Sequence, residues 1–360
     1  MPLPPRPHPF HGRASELRTL TAACRSGDHP RLALVGAGGS GKSTLAAALV
    51  HRLRRDYPGG AEWLRVGGWD HRTLLDMLAI RLGLPLGRLW AREERVAEVR
   101  RRIRARGPML VVLDNHEDDA QMARFLNALA DLPVLWLLTA RRCLLAGVSV
   151  FPVASPLVTL GRNPFPRVHG LTSLLRWNVL ALDVCDALVG GGAATVPALR
   201  RWLLAHGIGR VAPIAHEDDL PEVRLLLRWV WPRLSPASRR MLTVLGHLQG
   251  DHLDKRSLAA LARVRRPSAG LARLRAWRLV QEPFPGRFTV HATVRHAVVA
   301  RTRFDQRRAA HHFVTLLERH PERLDLEQTN LFAALDQAHT GGDFQQGLRL
   351  TKLLERLGLS

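Results

Sequence analysis

Val35-Gly36-Ala37-Gly38-Gly39-Ser40-Gly41-Lys42-Ser43-Thr44 fits the phosphate-binding pattern G-x-x-x-x-G-K-[ST], with both glycines, the lysine and the hydroxyl in place. The flanks supply the context that this spelling requires. Leu32 to Val35 form a short apolar run after Pro30, long enough for a buried strand, and Thr44 to Leu53 places Leu45, Leu49 and Val50 at helical spacing. The order is therefore strand, glycine turn, helix. Gly36, Gly38, Gly39 and Gly41 let the backbone around Ser40 curl its N–H groups about phosphates, and the helix opening at Lys42, Ser43 and Thr44 adds its positive end. Lys42 is expected to reach the β and γ phosphates, and the Ser43 hydroxyl to ligate Mg²⁺. The ligand expected is a nucleoside triphosphate with Mg²⁺.

Working outward, Met109-Leu110-Val111-Val112-Leu113-Asp114-Asn115 is five apolar residues running into an acid. That reads as a strand buried on both faces whose Asp114 lies at the carboxyl edge, where open α/β sheets place their ligands, opposite Ser43 across the Mg²⁺ shell. Val134 to Leu138 runs into Thr139-Ala140-Arg141-Arg142. Arg141 at that edge can contact a γ-phosphate, since guanidinium matches phosphate oxygens in a bidentate way; the alternative is a surface arginine. Ala61 to Val66 and Val148 to Val153 read as further strands. Helices are expected from about Asp70 to Leu82 and through Val96, Val99 and Ile103, the latter with Glu98 and Arg102 paired at i, i+4. Strands alternating with helices predict a parallel, doubly wound α/β sheet to about residue 155. Before the loop, Phe10-His11-Gly12-Arg13-Ala14-Ser15-Glu16-Leu17 opens a helix near Ala14, and the turn around Arg13 can fold over the adenine.

At 360 residues the chain is long enough for two or three domains with cores of their own. Apolar stretches such as Leu132 to Ala140 fall well short of the roughly 20 residues a membrane span needs, and the N-terminal prolines lack the apolar core of a secretory signal. Cys24, Cys143 and Cys185 are too few and scattered for a disulfide framework or a zinc site, so a reducing cytoplasm is expected. His311-His312 and His291 with His296 lack ligand partners at usable spacing, and no Ser/His/Asp set emerges. The net charge is +22, and residues 251–303 are the most basic part, with twelve Lys or Arg against three Asp or Glu. A basic face attracts phosphate backbones. All cations but Lys42, Lys255 and Lys352 are arginine, however, which equally fits a compositional bias.

These motifs resemble the STAND class of P-loop ATPases, with an NB-ARC-like architecture of the bacterial regulator type. The resemblance rests on FHGRASEL, GAGGSGKST, MLVVLDNHED and LLTARR, and downstream on WNVLALD and FTVHATVRHAVVAR. With the prolines of residues 1–9 read as an extended tail, it implies a nucleotide-binding domain over 10–155, an all-α helical domain over 156–232, a winged helix over 233–303, and tetratricopeptide-like helices over 304–360. In that class a second acid often follows the first at the end of MLVVLD; here Asn115 stands instead, and Glu117 is the candidate to position the attacking water, unless it caps the next helix. A Gly-x-Pro-Leu segment whose proline covers the adenine corresponds to Trp177-Asn178-Val179-Leu180, which reads equally as a core helix. His291 stands where a Met-His-Asp histidine touches the ADP β-phosphate, with Ala292 in place of the acid; a buried or surface histidine is the alternative.

Three functions fit. In the first, the protein is a nucleotide-dependent switch with slow hydrolysis, in which Lys42, Asp114, Glu117 and Arg141 act on ATP, and output passes to a protein partner through the C-terminal helices. A nucleotide-dependent oligomer is compatible with it. The second is a DNA-binding ATPase using Arg265, Arg266, Arg273 and Arg275 of the basic winged helix, although Leu271, Leu274 and Trp277 would turn its recognition helix inward. The third is a nucleotide-bound scaffold without turnover.

Overall fold

The computed structural model describes residues 3–4, 6–7, 13–84, 92–154, 165–208, 220–248, 252–340 and 343–356. Most of the Pro-rich tail and Phe10 to Gly12 lie outside the described residues. Contacts group the chain into two compact units. Met1–Ala37, Gly41–Val153 and Phe313–Ser360 form the first, and Gly38–Ser40 with Ala154–His312 the second.

The first unit is built on β1 (Arg31–Val35), β2 (Ala61–Arg65), β3 (Met109–His116), β4 (Val134–Ala140) and β5 (Ser149–Pro152), all parallel in the order β2-β3-β4-β1-β5. Apolar runs fold this way because a parallel strand is covered on both faces, and β4 is buried at every position. Around the sheet run α1 (Ala14–Ser26), α2 (Lys42–Leu53), α3 (His71–Arg81), α4 (Arg92–Arg106) and α5 (Asp119–Ala128). Leu20 of α1 and Leu45, Leu49 and Leu53 of α2 join Leu34, Leu110, Val112 and Leu137 of the strands in one core. Each such leucine contributes about 1.5–3 kcal/mol by leaving water. Asp70 and Asp118 start α3 and α5 by accepting two backbone N–H groups each. One expected pair differs: Glu98 is held by Arg101, Nε at 2.7 Å and Nη2 at 2.5 Å, where Arg102 was expected. The i, i+3 spacing lets one guanidinium fork grip both carboxylate oxygens.

β4 lies between β1 and β3, with Val35 opposite Ala140 and Leu113 opposite Leu138. That insertion brings three strand ends to one edge.

In the second unit, a 3₁₀ turn (Pro166–Leu171) precedes α6 (Val179–Gly190), α7 (Val196–Ala205) and α8 (Pro221–Val230). Then come α9 (Pro236–His247), β6 (Leu253–Asp254), α10 (Lys255–Ala262), α11 (Ser268–Ala276), β7 (Gln281–Phe284), β8 (Arg287–Thr289) and α12 (Ala292–Val299). The last three strands form an antiparallel sheet in the order β6-β8-β7. Ser235 caps α9 by accepting from Ser238 N at 3.1 Å. Leu271, Leu274 and Trp277 are buried, so the apolar side of α11 faces inward as its spacing implies. Gly246 of α9 meets α12 so closely that a Cβ there would stand 2.5 Å from Val298 Cγ1.

α13 (Gln306–Arg319), α14 (Leu324–Thr340) and α15 (Phe344–Arg356) end the described chain, and the unit boundary falls inside α13. α14 packs on α15 and on α3. Polar Glu327, Gln328, Thr329 and Asn330 are buried along it, followed by buried Leu331, Phe332, Ala333 and Ala334. Arg323 Nη2 and Asn330 Nδ2 donate to the Glu327 carboxylate at 3.0 and 2.8 Å. With its amide oxygen turned toward α3, Gln328 accepts from Arg81 Nη2 at 3.2 Å.

Candidate nucleotide-binding site

β1 delivers the chain to Gly36, whose N–H donates to Ala140 O on β4 at 3.2 Å. Gly39 at φ 77° and Gly41 at φ 89° then take left-handed conformations, which only glycine adopts without strain, and Gly41 becomes the N-cap of α2. The helix therefore begins at Lys42, with Ser43 and Thr44 exposed in its first turn. Lys42 Nζ folds over the loop and donates to Gly36 O at 2.7 Å and Ala37 O at 2.9 Å. Burial and the Arg141 guanidinium bring its pKa from 10.5 down to about 8, with Asp114 opposing and Arg13 adding to the fall. Three cations thus meet near one carboxylate, an arrangement suited to a polyphosphate.

Arg13 is almost wholly buried, and its Nη1 donates to Glu16 Oε1 at 2.5 Å. Burial lowers its pKa and Glu16 opposes the shift. Its Nε and Nη2 lie 3.8 Å from where a Cβ on Gly41 would stand, which places the guanidinium beside the end of the loop.

Asp114 sits where the β3–β4 register slips between Leu113 and His116, and Asn115 at φ 63° makes the slip. Ser43 Oγ donates to Asp114 Oδ1 at 2.7 Å, so the two expected Mg²⁺ ligands meet directly. Thr139 Oγ1 donates to the same oxygen at 2.6 Å and accepts from Asn115 N at 2.9 Å. Its role escaped the sequence reading, although a single hydroxyl closing an apolar strand was the signal available. A hydroxyl and a carboxylate are hard oxygen donors, which fit Mg²⁺.

Glu117 is exposed and accepts from Asn115 Nδ2 at 2.5 Å. It does not cap α5; Asp118 does, accepting from Ala120 N and Gln121 N.

The remaining expected residues belong to the second unit. His291 is the N-cap of α12, its Nδ1 accepting from Thr293 N at 3.2 Å. Gly38 to Ser40 group with this unit, in which a Cβ on Gly39 would meet Asn178 Oδ1 and Leu180 Cβ at 3.6 Å. Asn178 caps α6, accepting from Ala181 N at 2.9 Å. Trp177 before it has φ 57°, a left-handed conformation at the place where the resembled segment has glycine.

Sheet order, glycine loop and facing acid define a P-loop nucleotide-binding fold. Residues 6–148 match the family model described as Novel STAND NTPase 1, which supports the STAND-type resemblance read from the motifs. The regulatory protein AfsR of Streptomyces coelicolor is 28% identical, the match covering 81% of this chain and 32% of that protein. AfsR of Streptomyces griseus is 27% identical over 79% and 32%. The chain thus spans about a third of the length of these curated relatives. Among solved structures, a STAND protein with a tetratricopeptide repeat sensor from Pyrococcus horikoshii superposes with a TM-score of 0.60 at 15% identity, covering 99% of this chain and 54% of that one. That likeness is one of fold. Among the described residues, no helix is long and apolar enough to cross a membrane.

Proposed function

We propose that the protein is an ATP/ADP-binding switch with slow hydrolysis, in which nucleotide state governs how the helical parts are arranged. The observation that carries the reading is the 2.7 Å bond from Ser43 Oγ to Asp114 Oδ1, which brings together the two oxygens a Mg²⁺-nucleotide requires. When bound, Mg²⁺ supplies charge neutralisation between the phosphates. Lys42 exchanges its loop carbonyls for phosphate oxygens, Arg141 reports the terminal phosphate, and Arg13 covers the nucleotide side of the loop. Asn115 in place of a second acid and its bond to Glu117 support slow turnover, since no carboxylate follows Asp114 directly to polarise water. In the closed form His291 contacts the ADP β-phosphate. We keep the finer division into helical domain, winged helix and tetratricopeptide-like tail as part of this proposal, with the tail as the surface for a protein partner.

The test starts from purified protein. Denaturation and chromatography identify the nucleotide released, and calorimetry on stripped material measures uptake of ATP and ADP with Mg²⁺. Phosphate release with Lys42→Ala as control separates a slow switch from a scaffold. Failure to take up either nucleotide would remove the proposal.

A further inference from the structure

Two residues beyond Asp114 and two beyond Arg141, the chain brings together side chains that the nucleotide chemistry does not use. His116 ends β3, Asp119 opens α5, and Cys143 follows β4. Their ligating atoms all lie within 4.8 Å of one another. His116 and Cys143 are 4% and 8% exposed, while Asp119 is half-buried and leaves a way in from solvent. His116 Nε2 and Asp119 Oδ1 are 2.6 Å apart, and Asp119 Oδ2 accepts from Leu144 N at 3.0 Å, which fixes the carboxylate between the other two groups.

We infer that His116, Asp119 and Cys143 form a binding site for a thiophilic divalent cation of the Zn²⁺ class. A nitrogen, a thiolate and a carboxylate oxygen are a borderline-soft donor set; Mg²⁺ and Ca²⁺ prefer all-oxygen ligands, so this site and the Ser43–Asp114 pair differ in the metal they select. Three protein ligands leave the fourth tetrahedral position to water. The cation takes the place of the hydrogen bond between Nε2 and Oδ1, and the ring keeps its one proton on Nδ1 while Nε2 binds the metal. Tetrahedral bonds of about 2 Å set neighbouring donors roughly 3.3 Å apart, so those two atoms separate by under about 1 Å, within reach of a half-exposed side chain at the first turn of a helix. The Cys143 S–H bond gives its proton to solvent as the metal–sulfur bond forms, and His116 binds as the neutral ring.

The sequence excluded such a site because Cys143 stands alone and far from His116. The insertion of β4 beside β3 cancels that separation: His116 is paired with Ala140, three residues before Cys143. A cation here ties the end of β3 to the chain leaving β4, next to the acid and the arginine of the phosphate site. It does not depend on nucleotide turnover.

Titration of the untagged full chain with Co²⁺ tests the assignment. A thiolate-to-cobalt charge-transfer band and the visible bands of a tetrahedral ion are expected, both abolished by stoichiometric Zn²⁺ without loss of protein. Cys143→Ala should remove the charge-transfer band and weaken Zn²⁺ binding by more than about 100-fold, since loss of a direct ligand exceeds the cost of disturbing an outer partner. Asp119→Asn, which leaves the Asp118 cap in place, should weaken it while far-ultraviolet circular dichroism stays unchanged. Absence of the band in the wild-type chain, or its persistence in Cys143→Ala through Cys24 or Cys185, would overturn the inference.

Discussion

Replacing Thr139 by valine keeps the shape of a side chain that is 1% exposed and exchanges its hydroxyl for a methyl, so no cavity enters the comparison. Two bonds go with it: the one donated to Asp114 Oδ1 at 2.6 Å and the one accepted from Asn115 N at 2.9 Å. A hydrogen bond to a carboxylate is worth about 1.5–3 kcal/mol, and a buried N–H left without a partner costs about 1–3. Asn115 and Asp114 are only half-buried, and water recovers part of both. We predict a net loss of about 2–3 kcal/mol, read as a fall of roughly 1 M in the urea midpoint. Thr139→Ser should lose little, because it keeps the hydroxyl. Asp114, no longer held from β4, should bind Mg²⁺-ATP about tenfold more weakly, a change of about 1.4 kcal/mol, while Mg²⁺-free ATP binding is unaltered. A double-mutant cycle with Asp114→Asn isolates the coupling. If Thr139→Val unfolds within about 0.5 kcal/mol of the wild type, the hydroxyl does not organise the site and the reasoning fails.

Three further outcomes follow from other parts of the molecule. In nucleotide-free protein, Lys42 has a pKa lowered to about 8, so the unfolded chain binds more protons between about pH 8 and 10.5 and native stability rises with pH across that window; Lys42→Met should therefore stabilise by up to about 3 kcal/mol at pH 7, with the gain shrinking by pH 10, and equal melting shifts at both pH values would refute it. Gly246→Ala should cost about 1–3 kcal/mol, because Val298 is fully buried and β-branched and cannot swing from the new methyl; Val298→Ala in the same chain should return part of the loss, and an unchanged denaturant midpoint for Gly246→Ala alone would count against the contact. In a salt-titrated gel shift, the exposed Arg273 and Arg275 of α11 should hold duplex DNA only at low ionic strength, since the helix turns Leu271, Leu274 and Trp277 inward; a complex surviving about 0.15 M salt would favour the DNA-binding alternative.

Much of the first unit was legible because its signals are local. An apolar run, glycines at two positive-φ positions and a helical repeat occupy residues 32–53 without a break, and local rules suffice for them. Asp114 was legible for the same reason. Thr139 was not, since its importance comes from the placement of β4 between β1 and β3, and strand order leaves no mark on a strand's own residues. Trp177 shows another limit: nothing about tryptophan announces a left-handed backbone. His116, Asp119 and Cys143 are separated in sequence, and each looks ordinary alone. Glu117 was read as the candidate to position water, with capping of the next helix as the alternative; the cap is its neighbour Asp118, a distinction that the acid-rich run Glu117-Asp118-Asp119 could not resolve. The Ser43–Asp114 meeting was anticipated as two ligands of one ion, and the structure joins the two side chains by a direct hydrogen bond.

The polar seam of α14 has a bearing on how the first unit comes apart. Leucines joined face to face lose their whole contribution when water enters. Glu327, Gln328 and Asn330 are followed on the same helix by buried Leu331 and Ala334, so parting it from the unit exposes apolar surface and breaks the Gln328–Arg81 bond together.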